Sequence, residues 1–275
     1  MDLINSLLSS PIYLRGLVGV VLAAALSGVI SLLIRYTQTQ FLAIESLHMI
    51  LAAAATGYLV NIFVPSIYPE ALAYLVMALF VLLMVYLSVK GYEQNTSIAV
   101  IAFIAAAVSS LASYGLAIYS PTGPSVVYNI LFGSPFFLRE TDLVVSAFSL
   151  VVFVVVIAFT WRRILLLSFD PEYFAFIKGS LQTLIHRTLI YIIIASSAIY
   201  LTRLVGAIAA HILFIAPSVT PFVKRVSVIN ATLTIIIVSI ISLLISIVLN
   251  LPFGGVLGLI SIFFYAAPSL IKRSS

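Results

Sequence analysis

Glu45 and His48 stand three positions apart in the sequence "AIESLHMIL", inside a long apolar stretch. On an α-helix this spacing places the two side chains on one face, with their Cβ atoms about 5–6 Å apart. Carboxylate and imidazole are ligands that zinc, manganese and ferrous iron accept without any thiolate. The pair therefore indicates a transient metal site, or else a mutually bonded polar pair that holds helices together.

His211 is a further candidate ligand, in the stretch "GAIAAHILFIAP". It could be a third metal ligand, or a core histidine bonded to a free backbone carbonyl. The core role is favoured because Pro217 has no N–H and leaves the carbonyl of Leu213 without its helical partner. His186, beside Arg187 at the start of an apolar stretch, is expected near the membrane interface, and we assign it no function.

The composition places these residues in a membrane. Hydrophobic residues make up 63% of the 275-residue chain and charged residues 8%, against about 45–50% and 25% in soluble domains. A bilayer-spanning helix needs about 20 apolar residues, so we predict an all-α polytopic transmembrane helical bundle over one domain, 1–275. We count about nine spans, within a range of eight to ten: 14–34, 41–64, 70–89, 97–118, 142–161, 186–202, 204–223, 226–249 and 253–271.

The 13 lysines and arginines predict the orientation. Basic residues accumulate in cytoplasmic loops, which also explains the net charge of +5 without a nucleic-acid partner. With the loop after the fifth span inside, the basic residues that lie inside are Arg35, Lys90, Arg162, Arg163, Lys178, Arg187, Lys224, Arg225, Lys272 and Arg273. Those that lie outside are Arg15, Arg139 and Arg203. The N-terminus is therefore predicted outside and the C-terminus inside.

A polar, capped helix is predicted in the cytoplasm over residues 168–179, "SFDPEYFAFIKG". Ser168 or Asp170 can cap it, Pro171 suits its first turn, and Glu172 favours its positive end. An apolar face would be formed by Tyr173, Phe174, Phe176 and Ile177. This face either rests on lipid headgroups or inserts into a soluble partner.

Five stretches resemble, in the same order, the permease subunits of ATP-binding-cassette importers for zinc, manganese and iron. One of these stretches, "ILLLSFDPEYFAFIKG", is similar to the cytoplasmic coupling segment of these permease subunits. The other four are "LRGLVGVVLAAALSGVISLLIRYTQTQFLAIESLHMILAAAATGYLV", "YNILFGS", "VGAIAAHILFIAPSVTPFV" and "LNLPFGGVLGLI".

The resemblance implies a multi-pass permease homodimer in the plasma or inner membrane of a prokaryote. A separate cytoplasmic ATPase would bind the coupling segment, and an extracellular or periplasmic metal-binding protein would dock outside. The chain has no G-x-x-x-x-G-K-[ST] loop, so we expect a transport subunit with no enzymatic site of its own. A divalent metal would be the substrate, ATP would bind the other subunit, and no cofactor would be bound permanently. The implied ATPase contacts are Ser168, Phe169, Asp170, Pro171, Glu172 and Phe174.

The metal residues follow the family pattern in part. His48 occupies the position of the family histidine, while Ile44 stands where the family has an aspartate, so Glu45 is the nearest acid. Ala52 and Ala53 replace a Pro-Gly pair, and His211 stands where the family has a small residue.

Three other functions are considered. The same machine could carry a metal chelate or cobalamin, although the spans offer few polar groups to line a wide cavity. A secondary transporter would be expected to have several acids at the midplane, whereas Glu45 is the one acid in the interior of a predicted span, since Glu70 and Asp142 lie at span edges. An intramembrane protease would need an H-E-x-x-H helix or a Ser/His pair, and neither pattern is present.

The orientation can be tested by cysteine labelling, because the chain has no native cysteine. An impermeant thiol reagent added to intact cells should label Ser125→Cys and spare Ser275→Cys. Labelling of residue 275 with protection of residue 125 would reverse the orientation.

Overall fold

The computed structural model describes residues 10–133, 135–219 and 228–266, and these residues are helical with short connections. No strand occurs in these ranges. The α-helices are α1 Pro11–Tyr36, α2 Gln40–Phe63, α3 Pro69–Val89, α4 Gln94–Tyr119, α5 Gly123–Phe132, α6 Glu140–Phe169, α7 Pro171–Lys178, α8 Ser180–Val205, α9 Ala207–Val219, α10 Val228–Leu249 and α11 Phe253–Ser261. A 3₁₀ turn, Pro135–Phe137, precedes α6, and a π turn, Ile262–Ala266, follows α11.

The prediction of a polytopic helical membrane protein is confirmed. In the described part of the chain, 7 helices are long and apolar enough to cross a membrane: α1, α2, α3, α4, α6, α8 and α10. The two shorter apolar helices, α9 and α11, correspond to two further predicted spans. The span count of nine and the orientation stay predictions. Outside the described residues lie parts of the predicted spans 204–223, 226–249 and 253–271, together with Lys224, Arg225, Lys272 and Arg273.

α6 is longer than the predicted span of 142–161. It has 30 residues and continues through Arg162 and Arg163, which are exposed, as far as Phe169. Arginine is a good helix former whose aliphatic stem can lie along an apolar surface, so two arginines do not end the helix. Ser168 lies in its last turn, and its hydroxyl donates to the carbonyl oxygen of Ile164 at 2.7 Å. Of the two caps predicted for the following helix, Ser168 is therefore not the one observed.

The described chain divides into two compact units, and the prediction of a single domain stays a prediction. Of the described residues, the first unit contains 10–35, 132–133, 135–158, 200–219 and 228–266. Within it, α1 lies close to α10 at Gly28, where a Cβ would stand 2.6 Å from the Thr232 hydroxyl. Arg203 pairs with Asp142 at 2.7 Å, and α11 packs against α9 and α10. Asp142 is buried, so the arginine satisfies a carboxylate that would otherwise be costly to bury.

The second unit contains residues 36–131 and 159–199. Here α2 packs against α3 and α4. Its buried face is rich in alanine, and small residues let helix backbones approach closely in a membrane. Around Ala55, Ala112 and Leu116 a small core also takes in Leu59 and two valines of α5. This packing holds α2, the helix that carries Glu45 and His48.

Two glycines of the first unit meet at helix ends. Gly133 follows α5 with φ +60°, and Gly206 separates α8 from α9 with φ +86°. A Cβ on Gly206 would overlap the backbone of Gly133 and Phe132, and a Cβ on Gly133 would overlap the backbone of Gly206. Both the dihedral angle and the close approach require glycine. Phe132 and Gly133 thus form one side of a single contact, and Val205 and Gly206 form the other.

Gly206→Ala should lower the free energy of unfolding by about 2–4 kcal/mol, through a positive φ and overlap with backbone atoms. The matched control is Gly255→Ala in α11, where nothing lies within 4 Å of the new Cβ. The control should be neutral or stabilising, because alanine is the better helix former. Thermal unfolding in detergent measures both variants, and equal melting temperatures would contradict the packing described here.

Candidate functional site

Glu45 and His48 form a bonded pair near the start of α2. Nδ1 of His48 lies 3.0 Å from Oε2 of Glu45, so the imidazole donates to the carboxylate. Ser46 and Met49, their neighbours in sequence, are buried on another face of the helix. The His48 side chain is 47% exposed and that of Glu45 22%. The predicted i,i+3 pair therefore exists, and its histidine is accessible from outside the single chain.

The bond to Glu45 determines what His48 can offer a metal ion. A neutral imidazole that donates from Nδ1 keeps a lone pair on Nε2, and a carboxylate on Nδ1 fixes the tautomer and the orientation of the ring. Across the residues that the structure describes, no group of three or more His, Asp or Glu is arranged to hold a metal ion. An ion bound by Glu45 and His48 would therefore complete its coordination with water or with ligands of other kinds.

His211 lies in α9 and is half-buried. It belongs to the first compact unit, whereas Glu45 and His48 belong to the second. Pro217 lies inside the same helix, as the sequence indicated. The roles of His211 as a third ligand or as a core residue both stay predictions.

The capped helix predicted at 168–179 is α7, Pro171–Lys178. Its cap is Asp170, whose Oδ1 accepts a bond of 2.8 Å from the backbone N–H of Tyr173. Pro171 opens the helix and Glu172 lies in its first turn. Gly179 follows with φ 84° and ψ 160°, a backbone conformation that is essentially restricted to glycine.

The aromatic residues of α7 do not share one face. Phe174 is completely buried, whereas Tyr173 is 51%, Phe176 88% and Ile177 47% exposed. Because a helix turns about 100° per residue, adjacent Tyr173 and Phe174 cannot point the same way. The prediction of one apolar face that includes Phe174 was therefore wrong, since its ring is turned into the chain, and its contact with an ATPase stays a prediction. Phe169, 76% exposed, lies just before α7.

The partner of Phe174 is His186, which sequence analysis left without a role. The two rings meet edge to face, with centroids 5.4 Å apart. His186 is 4% exposed, so it is buried within the protein. Its Nδ1 donates to the carbonyl oxygen of Gln182 at 2.8 Å. The spacing of twelve residues across a glycine carries no periodic signal that would have revealed this contact.

A polar cavity of about 250 Å³ lies beside the start of α7. Residues 37–39, between α1 and α2, line it together with residues 93–95, where α4 begins. Ser168, Pro171 and Arg187 complete this part of the wall. Three alternate connections of the chain thus lie together, as expected for loops on one side of a membrane.

Comparison with known proteins agrees with this architecture. A family model described as the ABC 3 transport family matches residues 9–272. The fold is similar to that of PsaBC from Streptococcus pneumoniae, solved in complex with a Fab, with a TM-score of 0.77 and 16% sequence identity. That alignment covers 96% of this chain and 92% of the other.

A second solved structure is a transporter described as a metal-chelate type ABC transporter in an inward-facing conformation. It aligns with a TM-score of 0.62 and 16% identity, over 94% of this chain and 85% of the other. No curated protein sequence matches the chain. Since the family model spans nearly the whole sequence, the chain belongs to the ABC 3 transport family and is a multi-pass permease of the ABC transporter type.

Proposed function

We propose that the chain is the permease subunit of an ATP-driven importer of divalent metal ions, namely zinc, manganese or iron. The observation that carries the proposal is the Glu45–His48 pair, bonded at 3.0 Å on α2 with its imidazole half exposed. An ionisable residue within a membrane span is a functional candidate by default. The family membership supports ABC transport as the setting.

The pair suits an ion in transit. A transported ion must bind and then leave, so a site with few protein ligands and several waters serves better than a closed four-ligand site. His48 would bind through Nε2, while Glu45 orients the ring and adds negative charge beside the ion. His211 is retained as a further candidate ligand.

His48→Ala should reduce uptake of zinc or manganese by at least tenfold, since loss of even an outer-shell partner costs about 10- to 100-fold in metal affinity. Glu45→Gln should also reduce uptake, because the amide can still accept from Nδ1 but has no charge. His211→Ala is the comparison and should have the smaller effect. Uptake of radioactive metal is measured in cells with equal amounts of permease in the membrane.

Normal uptake by His48→Ala would make the pair a structural contact, and the substrate would then have to pass between neutral groups.

The second candidate function is transport of a metal chelate, which the second structural neighbour favours by its description. In that case the unmodified protein would take up the chelated metal in preference to the free ion.

The exposed face of α7 is the proposed binding surface for a cytoplasmic ATPase. Tyr173, Phe176 and Ile177 present apolar side chains on a helix flanked by charged ends, and Phe169 adds a further exposed ring. Apolar anchors within a polar rim are typical of protein–protein contacts.

The proposed complex contains two permease chains and an extracellular or periplasmic metal-binding protein, in the inner or plasma membrane of a prokaryote.

Phe176→Glu should weaken ATPase binding by about 30-fold or more, the effect of losing an interface hot spot. Asp170→Arg should also weaken it, because the cap of α7 is lost. Tyr92→Glu, in the connection between α3 and α4, replaces an aromatic that is 56% exposed and serves as the control. Co-purification with the tagged permease measures binding. Full recovery of the ATPase with Phe176→Glu would exclude this surface.

A further inference from the structure

One buried side chain holds α7 against the rest of the chain. Helices of eight residues are marginal on their own, so the position of α7 depends on its contacts. Within α7, all of whose residues are described, Phe174 is the buried residue. Its ring meets the ring of His186 at an interplanar angle of 67°. Edge-to-face pairs of this kind have a preferred geometry, so the contact defines the position of α7 on α8.

His186 is held in place by its own helix. It lies in the second turn of α8, and its Nδ1 donates to the carbonyl oxygen of Gln182, one turn earlier. This bond restrains the orientation of the imidazole. A force applied to the imidazole ring of His186 therefore acts on the part of α8 that follows its first turn.

The covalent connection between α7 and α8 is a single glycine. The N–H of Gly179 donates to Ala175 in α7, and its carbonyl accepts from the N–H and the hydroxyl of Thr183 in α8. The change of direction therefore falls on the two dihedral angles of Gly179. Nothing lies within 4 Å of its would-be Cβ, so there is open space beside the joint. The contact between the rings of Phe174 and His186 is a second connection between α7 and α8, in addition to Gly179.

We propose that the Phe174–His186 contact transmits displacement of α7 to α8, with His186 as a positioning residue for transport. The inference rests on the proposed function, in which an ATPase binds α7. The exposed side chains of α7 hold the ATPase, and the buried one passes the movement on. Because the two roles lie on opposite sides of the helix, substitutions can separate them.

The test uses the permease–ATPase complex purified from membranes and reconstituted in proteoliposomes. ATP hydrolysis and uptake of zinc and manganese are measured in the same samples for His186→Ala and Phe174→Leu. His186→Phe keeps an aromatic ring at the contact without the bond to Gln182. Ile185→Ala is the matched control, because Ile185 is the preceding residue of α8 and is 47% exposed.

We expect His186→Ala and Phe174→Leu to retain the ATPase and its hydrolysis while transporting about three- to tenfold fewer ions per ATP, the range given by the energy of an aromatic pair. In His186→Phe the ratio of transported ions to hydrolysed ATP should return to near that of the unmodified protein, and Ile185→Ala should not change this ratio. The double variant should lose little more than either single variant, since both remove one contact.

An unchanged ratio of ions to ATP in His186→Ala and Phe174→Leu would overturn the inference. Equal losses of hydrolysis and uptake, with the ratio preserved, would also overturn it, because they would indicate a purely structural contact. These results differ from failure of the proposed function, in which no ATPase co-purifies with the unmodified permease.

Discussion

In the hydrocarbon of a bilayer no water is available for backbone N–H and C=O groups, so each break in a helix must satisfy its own groups. Gly206 shows how this chain meets that constraint. Its N–H donates to Thr202 at 2.8 Å, and its carbonyl accepts from Ala210 at 2.9 Å, although the chain changes direction there. The close approach of Gly133 then requires that neither residue carry a side chain. The helical fold, and the glycine at this particular break, follow from this requirement.

Backbone groups are also paired at α7, the predicted cytoplasmic helix, where the chain leaves one long helix and enters another. Asp170 accepts a hydrogen bond from the backbone N–H of Tyr173 at the start of α7, and Gly179 forms hydrogen bonds with both α7 and α8. With its backbone groups satisfied, α7 has its side chains left for recognition. The side chain of Phe174 is buried, and that of Phe176 is exposed. A short helix of this kind can hold a partner on one side while it stays fixed to the chain on the other.

Features that depend on neighbours in sequence could be predicted. Apolar length predicted the long helices, and the order Asp170-Pro171 with a later glycine predicted α7. The Glu45–His48 bond is an i,i+3 contact, so it too follows from spacing. Features that depend on distant residues could not be predicted: the meeting of Gly133 with Gly206, and the burial of Phe174 against His186. The continuation of α6 past Arg162 was missed because hydropathy registers charge but not helix propensity.

The central claim is that this permease carries divalent metal ions at the expense of ATP. The most direct measurement is uptake by proteoliposomes that contain the purified permease–ATPase complex, with radioactive zinc or manganese and its binding protein on one side and ATP on the other. We predict uptake of the free ion that requires ATP hydrolysis and ceases when the ATPase is inactivated. Uptake independent of ATP, or ATP-driven uptake of a chelate but of neither free ion, would contradict the account.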